Sequence, residues 1–264
     1  MTRFTKAHAC GNDFLIVEGR ADAALAMRLC ARNTGVGADG VEFAEWTGER
    51  TATIRLVNAD GSVAEISGNG TRCVAAWMAH CKGLKAGDTV RIGTDAGPRE
   101  CCVVKAEGSR FEFAQGMGVP VIADKVVRLP DGTEVAGVVV STGNPHFVIF
   151  VDGPDFEKHE RGWQALGREI CFHPDFPVQT NVEFVRVIDT NSIEIRIFER
   201  GVGPTTSSGT GTCATATASM VKRGLGSHLR VKAPGGEQTV DWAGEGAEIL
   251  LTGPAELIAT GEAW

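Results

Sequence analysis

Two segments at an offset of 141 residues (67 to 208) open in the same way, and this repetition constrains the fold more than any other feature. Ser67-Gly68-Asn69-Gly70-Thr71-Arg72-Cys73 and Ser208-Gly209-Thr210-Gly211-Thr212-Cys213 each place a hydroxyl residue and a Gly-x-Gly turn ahead of an Ala-rich apolar run. A helix whose N-terminus must hold an anion begins like this: a capping side chain, glycines for close approach, and free N–H groups behind. Two such starts suggest one small anionic ligand held between two helix N-termini, with Ser67 and Ser208 placed for chemistry. At the same offset Gly40-Val41-Glu42-Phe43 answers Asn181-Val182-Glu183-Phe184, and Lys82-Gly83-Leu84 answers Arg223-Gly224-Leu225. Near it, Gly11-Asn12-Asp13-Phe14 answers Gly143-Asn144-Pro145-His146. Several matches in order, at a period far too long for a solenoid, indicate two homologous domains.

The chain has 264 residues, enough for two domains of ordinary size. Strand-like runs rich in Val, Ile and Phe recur throughout, broken by Gly, Asp, Asn and Pro. They include 13–18, 51–57, 90–92, 101–105 and 111–113, then 138–141, 147–151, 182–188, 192–198, 229–232, 238–242 and 248–252. Helices are few: 23–31 behind an Asp22 cap, 73–81, 161–170 and 214–222. Strands on both sides of one apolar helix, twice over, give an α+β fold of two β-rich domains, each wrapped around a central helix. The domains are read as 1–114 and 115–264, with the last strand a candidate to return to the first. Gly116-Met117-Gly118 and Pro120 mark the break. No low-complexity linker intervenes, so a cleft between adjacent domains is the expected ligand site.

A net charge of −7 argues against nucleic acid or an anionic membrane as the main partner. No apolar run approaches the ~20 residues of a membrane helix, and the first residues enter a strand-like segment without a secretory h-region. A cytoplasmic protein is expected. The eight cysteines then read as buried small hydrophobes, without Cys-x-x-Cys, and the six histidines show no metal-binding spacing. No metal is expected.

Around the helix starts lie the amides Asn12, Asn58, Asn69, Asn144 and Asn181, read as turn residues, and the pair Glu199-Arg200. Arg200 offers a fork for a carboxylate and Glu199 a counter-charge for an ammonium, which suits a zwitterionic amino acid. Taken singly, each Asn is a turn former and Glu199-Arg200 a solvated pair at a strand end. Their arrangement around two anion-binding helix starts is what raises them above that reading.

His8-Ala9-Cys10-Gly11-Asn12-Asp13-Phe14, Gly35-Val36-Gly37-Ala38-Asp39-Gly40, Asn58-Ala59-Asp60-Gly61-Ser62, Gly143-Asn144-Pro145-His146 and Glu199-Arg200-Gly201-Val202-Gly203 resemble diaminopimelate epimerase. So do Thr180-Asn181-Val182-Glu183-Phe184 and Leu251-Thr252-Gly253-Pro254-Ala255-Glu256. The resemblance runs along the whole chain. It implies a pseudo-symmetric domain pair with the active site in the interdomain cleft, and a cofactor-independent epimerase, a homodimer, interconverting LL- and meso-diaminopimelate for lysine and cell-wall precursor synthesis. It further implies substrate contacts from Asn12, Asn58, Asn144, Asn181, Glu199 and Arg200. Backbone N–H groups of Gly68-Asn69 and Gly209-Thr210 would hold the reacting carboxylate.

The family's two bases are cysteines at the helix heads, and Ser67 and Ser208 stand in their places. A hydroxyl is a far weaker acid than a thiol, and a helix dipole worth ~0.3–1 kcal/mol does not close the gap. Three readings stay open: serine-based epimerisation aided by neighbours or a proton relay, amino-acid binding without turnover, or racemisation or isomerisation of another substrate. Cys73 and Cys213, more than a turn into their helices, read as packing residues.

Overall fold

The protein is described by a computed structural model covering residues 1–64 and 67–264. In chain order the first elements are β1 (Thr2–Ala9), β2 (Asn12–Glu18), α1 (Ala23–Cys30), β3 (Gly40–Gly48), β4 (Thr51–Asn58) and β5 (Val63–Ala64). Next come α2 (Gly68–Lys82), β6 (Thr89–Thr94), β7 (Gly97–Glu107), β8 (Arg110–Gly116), β9 (Val121–Arg128), β10 (Glu134–Ser141) and β11 (Pro145–Phe150). The chain continues through α3 (Trp163–Cys171), β12 (Asn181–Asp189), β13 (Ser192–Glu199), β14 (Gly203–Thr205) and α4 (Gly209–Arg223). It ends with β15 (His228–Ala233), β16 (Gly236–Asp241) and β17 (Leu250–Ala263). Two compact units result, Met1–Gln115 with Thr252–Trp264, and Gly116–Leu251.

In the first unit eight strands close on themselves in the order β1-β2-β3-β4-β6-β7-β8-β17 and back to β1. Closure leaves this ring without a free edge. Inside it lies α2, buried from Asn69 to Ala79. All eight strands contribute to the apolar core around it, among them Ala7, Ile16, Ala44, Leu56, Ile92, Val103, Phe113 and Ala255. The helix is Ala-rich because a barrel interior leaves room for a backbone cylinder and little more. Burial alternates along the strands, as in β4, where Ala52, Ile54 and Leu56 point inward and Arg55 outward.

β2 and β3 break that alternation. They pair in parallel, and α1 bridges them outside the ring. Leu15, Val17, Val41 and Phe43 pack on α1 residues Ala26, Leu29 and Cys30, while Phe14 and Ile16 face α2. A parallel pair covered on both faces gives a continuous apolar run instead of a period of two.

The second unit pairs its strands in the order β9-β10-β11-β12-β13-β15-β16, with β11–β12 and β13–β15 parallel like β2–β3 and β4–β6. Its core gathers Val140, Val148, Val185, Ile195, Leu229 and Val240 around α4. Four of the buried positions of α4 are Thr or Ser, whose hydroxyls must find acceptors. Thr215, Thr217 and Ser219 donate to carbonyls four residues back, at 2.9, 2.9 and 2.7 Å. α3 covers the other face through Leu166 and Ile170 against Phe147 and Phe184.

Several expectations are corrected. α2 and α4 begin at Gly68 and Gly209, five residues earlier than their apolar runs, because a capped first turn tolerates glycine. β3 and β9 escape the strand reading. In β3 the inward Glu42 interrupts the apolar signal, and β9 is largely exposed. β17 starts at Leu250 and runs on to Ala263, well past residue 252. All eight cysteines are free thiols, and six are buried, but Cys81 is exposed and Cys102 half-buried.

Candidate active site

Each central helix opens on a serine. Ser67 and Ser208 have extended backbone, and their Oγ atoms accept the N–H of Gly70 and Gly211 at 3.0 and 3.2 Å. The next N–H groups, of Thr71 and Thr212, bond to the serine carbonyls. Gly68-Asn69 and Gly209-Thr210 come first in their helices, where the helix offers no carbonyl four residues back. Both helices stop at a glycine in the left-handed region, Gly83 (φ 61°) and Gly224 (φ 63°).

In the first unit the amides form a linked set. Asn69 donates to Asn12 Oδ1 (3.4 Å), and Asn12 donates to Asp39 Oδ2 (2.6 Å). Asp39 also accepts the Asp13 N–H, and its carbonyl accepts the Ala59 N–H beside Asn58. Asn58 donates to Ser62 Oγ at 3.0 Å. Buried Arg72 donates to Asn69 Oδ1 at 2.5 Å and so fixes which way that amide faces. Cys73, one residue on, has a thiol held far above its ordinary range by burial, so it is a packing group and no base near neutral pH. Cys213 is equally buried in the second core.

In the second unit a continuous polar chain runs inward from the helix start. Ser208 Oγ meets Thr210 Oγ1 at 3.4 Å, and the Asn144 amide donates to that Thr210 oxygen at 3.3 Å. Asn144 Oδ1 faces His146 Nε2 at 3.1 Å, and His146 Nδ1 faces Glu183 Oε1 at 2.7 Å. His146 and Glu183 are both fully buried. With Nε2 donating to the amide, one further proton is shared between Nδ1 and the carboxylate.

Asn181 lies opposite His146 in the β11–β12 register, and its Oδ1 accepts the Arg200 N–H at 2.9 Å. The Arg200 guanidinium is exposed and donates to the Val178 carbonyl at 3.1 Å. Glu199 is half-buried rather than solvated. Desolvation, with the Glu183 charge adding to it and His146 opposing, pushes its carboxyl up to about 7. Among the predicted turn amides only Asn144 lies outside regular structure. Asn12, Asn58 and Asn181 sit at strand ends and Asn69 in the first turn of α2, because a strand end places an amide at the rim where the helix begins.

Sequence reasoning passed over His146, Glu183, Glu42 and Arg72 as site residues. The two glutamates stood in the matched Val-Glu-Phe segments, where a charge inside an apolar run was the available signal. His146→Phe would give the second unit the residue that the first carries at the corresponding position, Phe14. Glu183 would then lose its buried partner, at a cost of about 3–5 kcal/mol. Urea unfolding should show that loss in His146→Phe and a smaller one when Glu183→Leu is added to it, since the stranded carboxylate is then gone. Equal losses in both would assign the effect to packing.

No helix among the described residues is long and apolar enough to cross a membrane. The family model described as diaminopimelate epimerase matches residues 4–122 and 138–258. A diaminopimelate epimerase of Acaryochloris marina is 38% identical, the match covering 98% of this chain and 97% of that protein. Among solved structures, a phenazine biosynthesis protein of the PhzF family from Bacillus anthracis superposes with a TM-score of 0.74 at 17% identity, covering 100% and 99% of the two chains. A probable proline racemase from Agrobacterium radiobacter gives 0.70 at 15%, covering 100% and 93%. Those two likenesses speak for the fold. With the family match along both halves and relatives well above 30% identity, the chain belongs to the diaminopimelate epimerase family.

Proposed function

We propose that the chain interconverts LL- and meso-diaminopimelate by removing and returning the Cα proton, with Ser67 and Ser208 acting from opposite faces of that carbon. One observation carries this reading above the others: both buried helices begin at a serine whose Oγ accepts an N–H of the first turn, so that each hydroxyl stands at the positive end of a helix among its first-turn N–H groups. Those N–H groups suit a carboxylate that gathers negative charge as the proton leaves. Asn12, Asn58 and Asn69 on one side, and Asn144, Asn181, Thr210, Glu199 and Arg200 on the other, would read the two amino-acid ends of one substrate. A substrate with a single amino-acid group would leave part of this set unpaired, which costs affinity. The reading needs neither metal nor organic cofactor. It carries with it a pseudo-symmetric pair of domains acting on one ligand in a cleft, a homodimer, and a cytoplasmic role in making lysine and peptidoglycan precursors.

The second reading is binding without turnover. It is favoured by the hydroxyls themselves, each of which accepts a backbone N–H and is a weak acid. Incubation with LL-diaminopimelate in deuterated water separates the two. Deuterium entering at Cα, with meso product forming, is the expected result. Saturable binding with no exchange from pH 6 to pH 9 would overturn the epimerase reading in favour of binding, and exchange confined to other amino acids would point to a racemase of another substrate.

A further inference from the structure

Glu42 is the third residue of β3 and is fully buried inside the first barrel. Its cross-strand neighbours are Ile16 of β2 and Leu56 of β4, both members of the apolar core around α2. Among the described residues neither of its carboxylate oxygens has a hydrogen-bond partner. A buried acid without a partner is costly, and natural chains keep one where it has work to do. The matching acid of the second unit, Glu183, has His146 at 2.7 Å, whereas Phe14 occupies the histidine's place in the first.

The carboxylate is aimed at the start of α2. A methyl group built on Gly70 would lie 2.0 Å from Glu42 Oε1 and 3.2 Å from Ser67 Cβ. Glycine at 70 is thus what lets the acid reach the underside of the helix start, beside the N–H that Ser67 Oγ accepts. The titratable group facing Glu42 from α2 is Cys73, whose thiol is itself pushed up in part by the Glu42 charge. Arg72 of α2, with Cys10 and Asp13 of the β1–β2 hairpin, also acts on that thiol. β2 and β4 face Glu42 with hydrocarbon, and α1 packs on the opposite face of β3 through Val41 and Phe43.

We infer that Glu42 is the proton partner of Ser67, supplying through the serine the basicity that a lone hydroxyl lacks. The inference rests on the epimerase reading and names how one of its bases is activated. As the Cα–H bond breaks, its proton bonds to Ser67 Oγ, and the Oγ–H bond breaks as its proton bonds to a Glu42 oxygen. The electron pair of the Cα–H bond stays on the substrate carbon. In the reverse direction Glu42 returns the proton to Oγ and Oγ delivers it to Cα. Glu42 does not touch the substrate, so it is a positioning residue. Burial pushes its carboxyl up to about 8, which makes the carboxylate a strong acceptor once the pH reaches that range, so exchange should rise as the pH approaches 8.

The test compares the natural chain with Glu42→Gln and Glu42→Asp. Glu42→Gln should lower kcat for exchange on LL-diaminopimelate by about 100-fold or more with KM within about twofold, and flatten the pH profile. Glu42→Asp, which keeps the charge but shortens its reach, should retain an intermediate rate and the profile. It also serves as the decisive variant if the glutamine chain does not fold. Exchange within threefold of the natural rate and an unchanged profile would overturn the inference while leaving the epimerase reading intact. A second readout needs no turnover: phosphonylation of Ser67 by a small fluorophosphonate, located by peptide mass spectrometry. Here the Oγ–P bond forms as fluoride leaves and the hydroxyl proton passes to Glu42. If the natural chain exchanges no proton, the epimerase reading fails, and this labelling still decides the pairing. A tenfold slower label in Glu42→Gln supports it, and equal labelling overturns it.

Discussion

Ser67→Ala and Ser208→Ala are each expected to lower Cα exchange by about 10²–10⁴-fold, the usual worth of a positioned acid–base group. Loss from either single substitution distinguishes a two-face mechanism from one serine with a bystander. Alanine also removes a helix cap, which costs about 0.5–2 kcal/mol, so lost activity alone is ambiguous. Ser67→Asn and Ser208→Asn resolve this. Asparagine caps as well as serine but carries no hydroxyl to ionise, so stability should hold while exchange still disappears. The opposite change is equally informative. Cysteine at both positions installs thiols of ordinary pKa ~8.5 at helix N-termini, which lower it further. Exchange should then rise above that of the natural chain. Activity that survives both asparagine variants would remove the serines from the mechanism.

Glu42→Leu is expected to stabilise the protein, and by more at pH 8 than at pH 5. Burial lifts the Glu42 carboxyl from 4.5 to about 8. Between those values the folded chain holds a proton that the unfolded chain has released, so its stability falls as pH rises across that window. Below the unfolded value both states are protonated and the contribution vanishes. Near pH 8 the whole cost is present, on the order of 3–5 kcal/mol. Leucine removes the group and continues the hydrocarbon of Ile16 and Leu56. Urea midpoints at the two pH values measure the difference, and an effect independent of pH would mean that Glu42 does not titrate in this window. With the loss of exchange expected from removing its carboxylate, this would be a residue held at the expense of stability for what it does.

The helix starts were legible because capping is local: a serine, two glycines and an apolar run suffice to place Ser67 and Ser208. The outer helix α1 was legible from Asp22, which caps Leu25 N–H at 3.0 Å. What escaped depends on partners distant in sequence. Glu42 interrupted a strand signal and Glu183 passed as an ordinary strand residue, because only the folded units show that each lies beneath the start of a helix. His146 meets Glu183 across a parallel pair separated by the whole of α3. Arg200 beside Glu199 suggested a pair, yet strand geometry sends neighbouring side chains to opposite faces and leaves Glu199 near Glu183.

The return of β17 to the first barrel also sets an order of assembly. Thr2 pairs with Ala263 and His8 with Glu256, whereas residues 116–251 contain every element of the second unit. During synthesis the later unit can therefore finish before the earlier one. Until residues 252–263 emerge, β1 and β8 each show an open strand edge, the kind of surface on which chains aggregate. The final strand is thus a latch: a chain cut short after Leu251 keeps the second core whole and exposes the first.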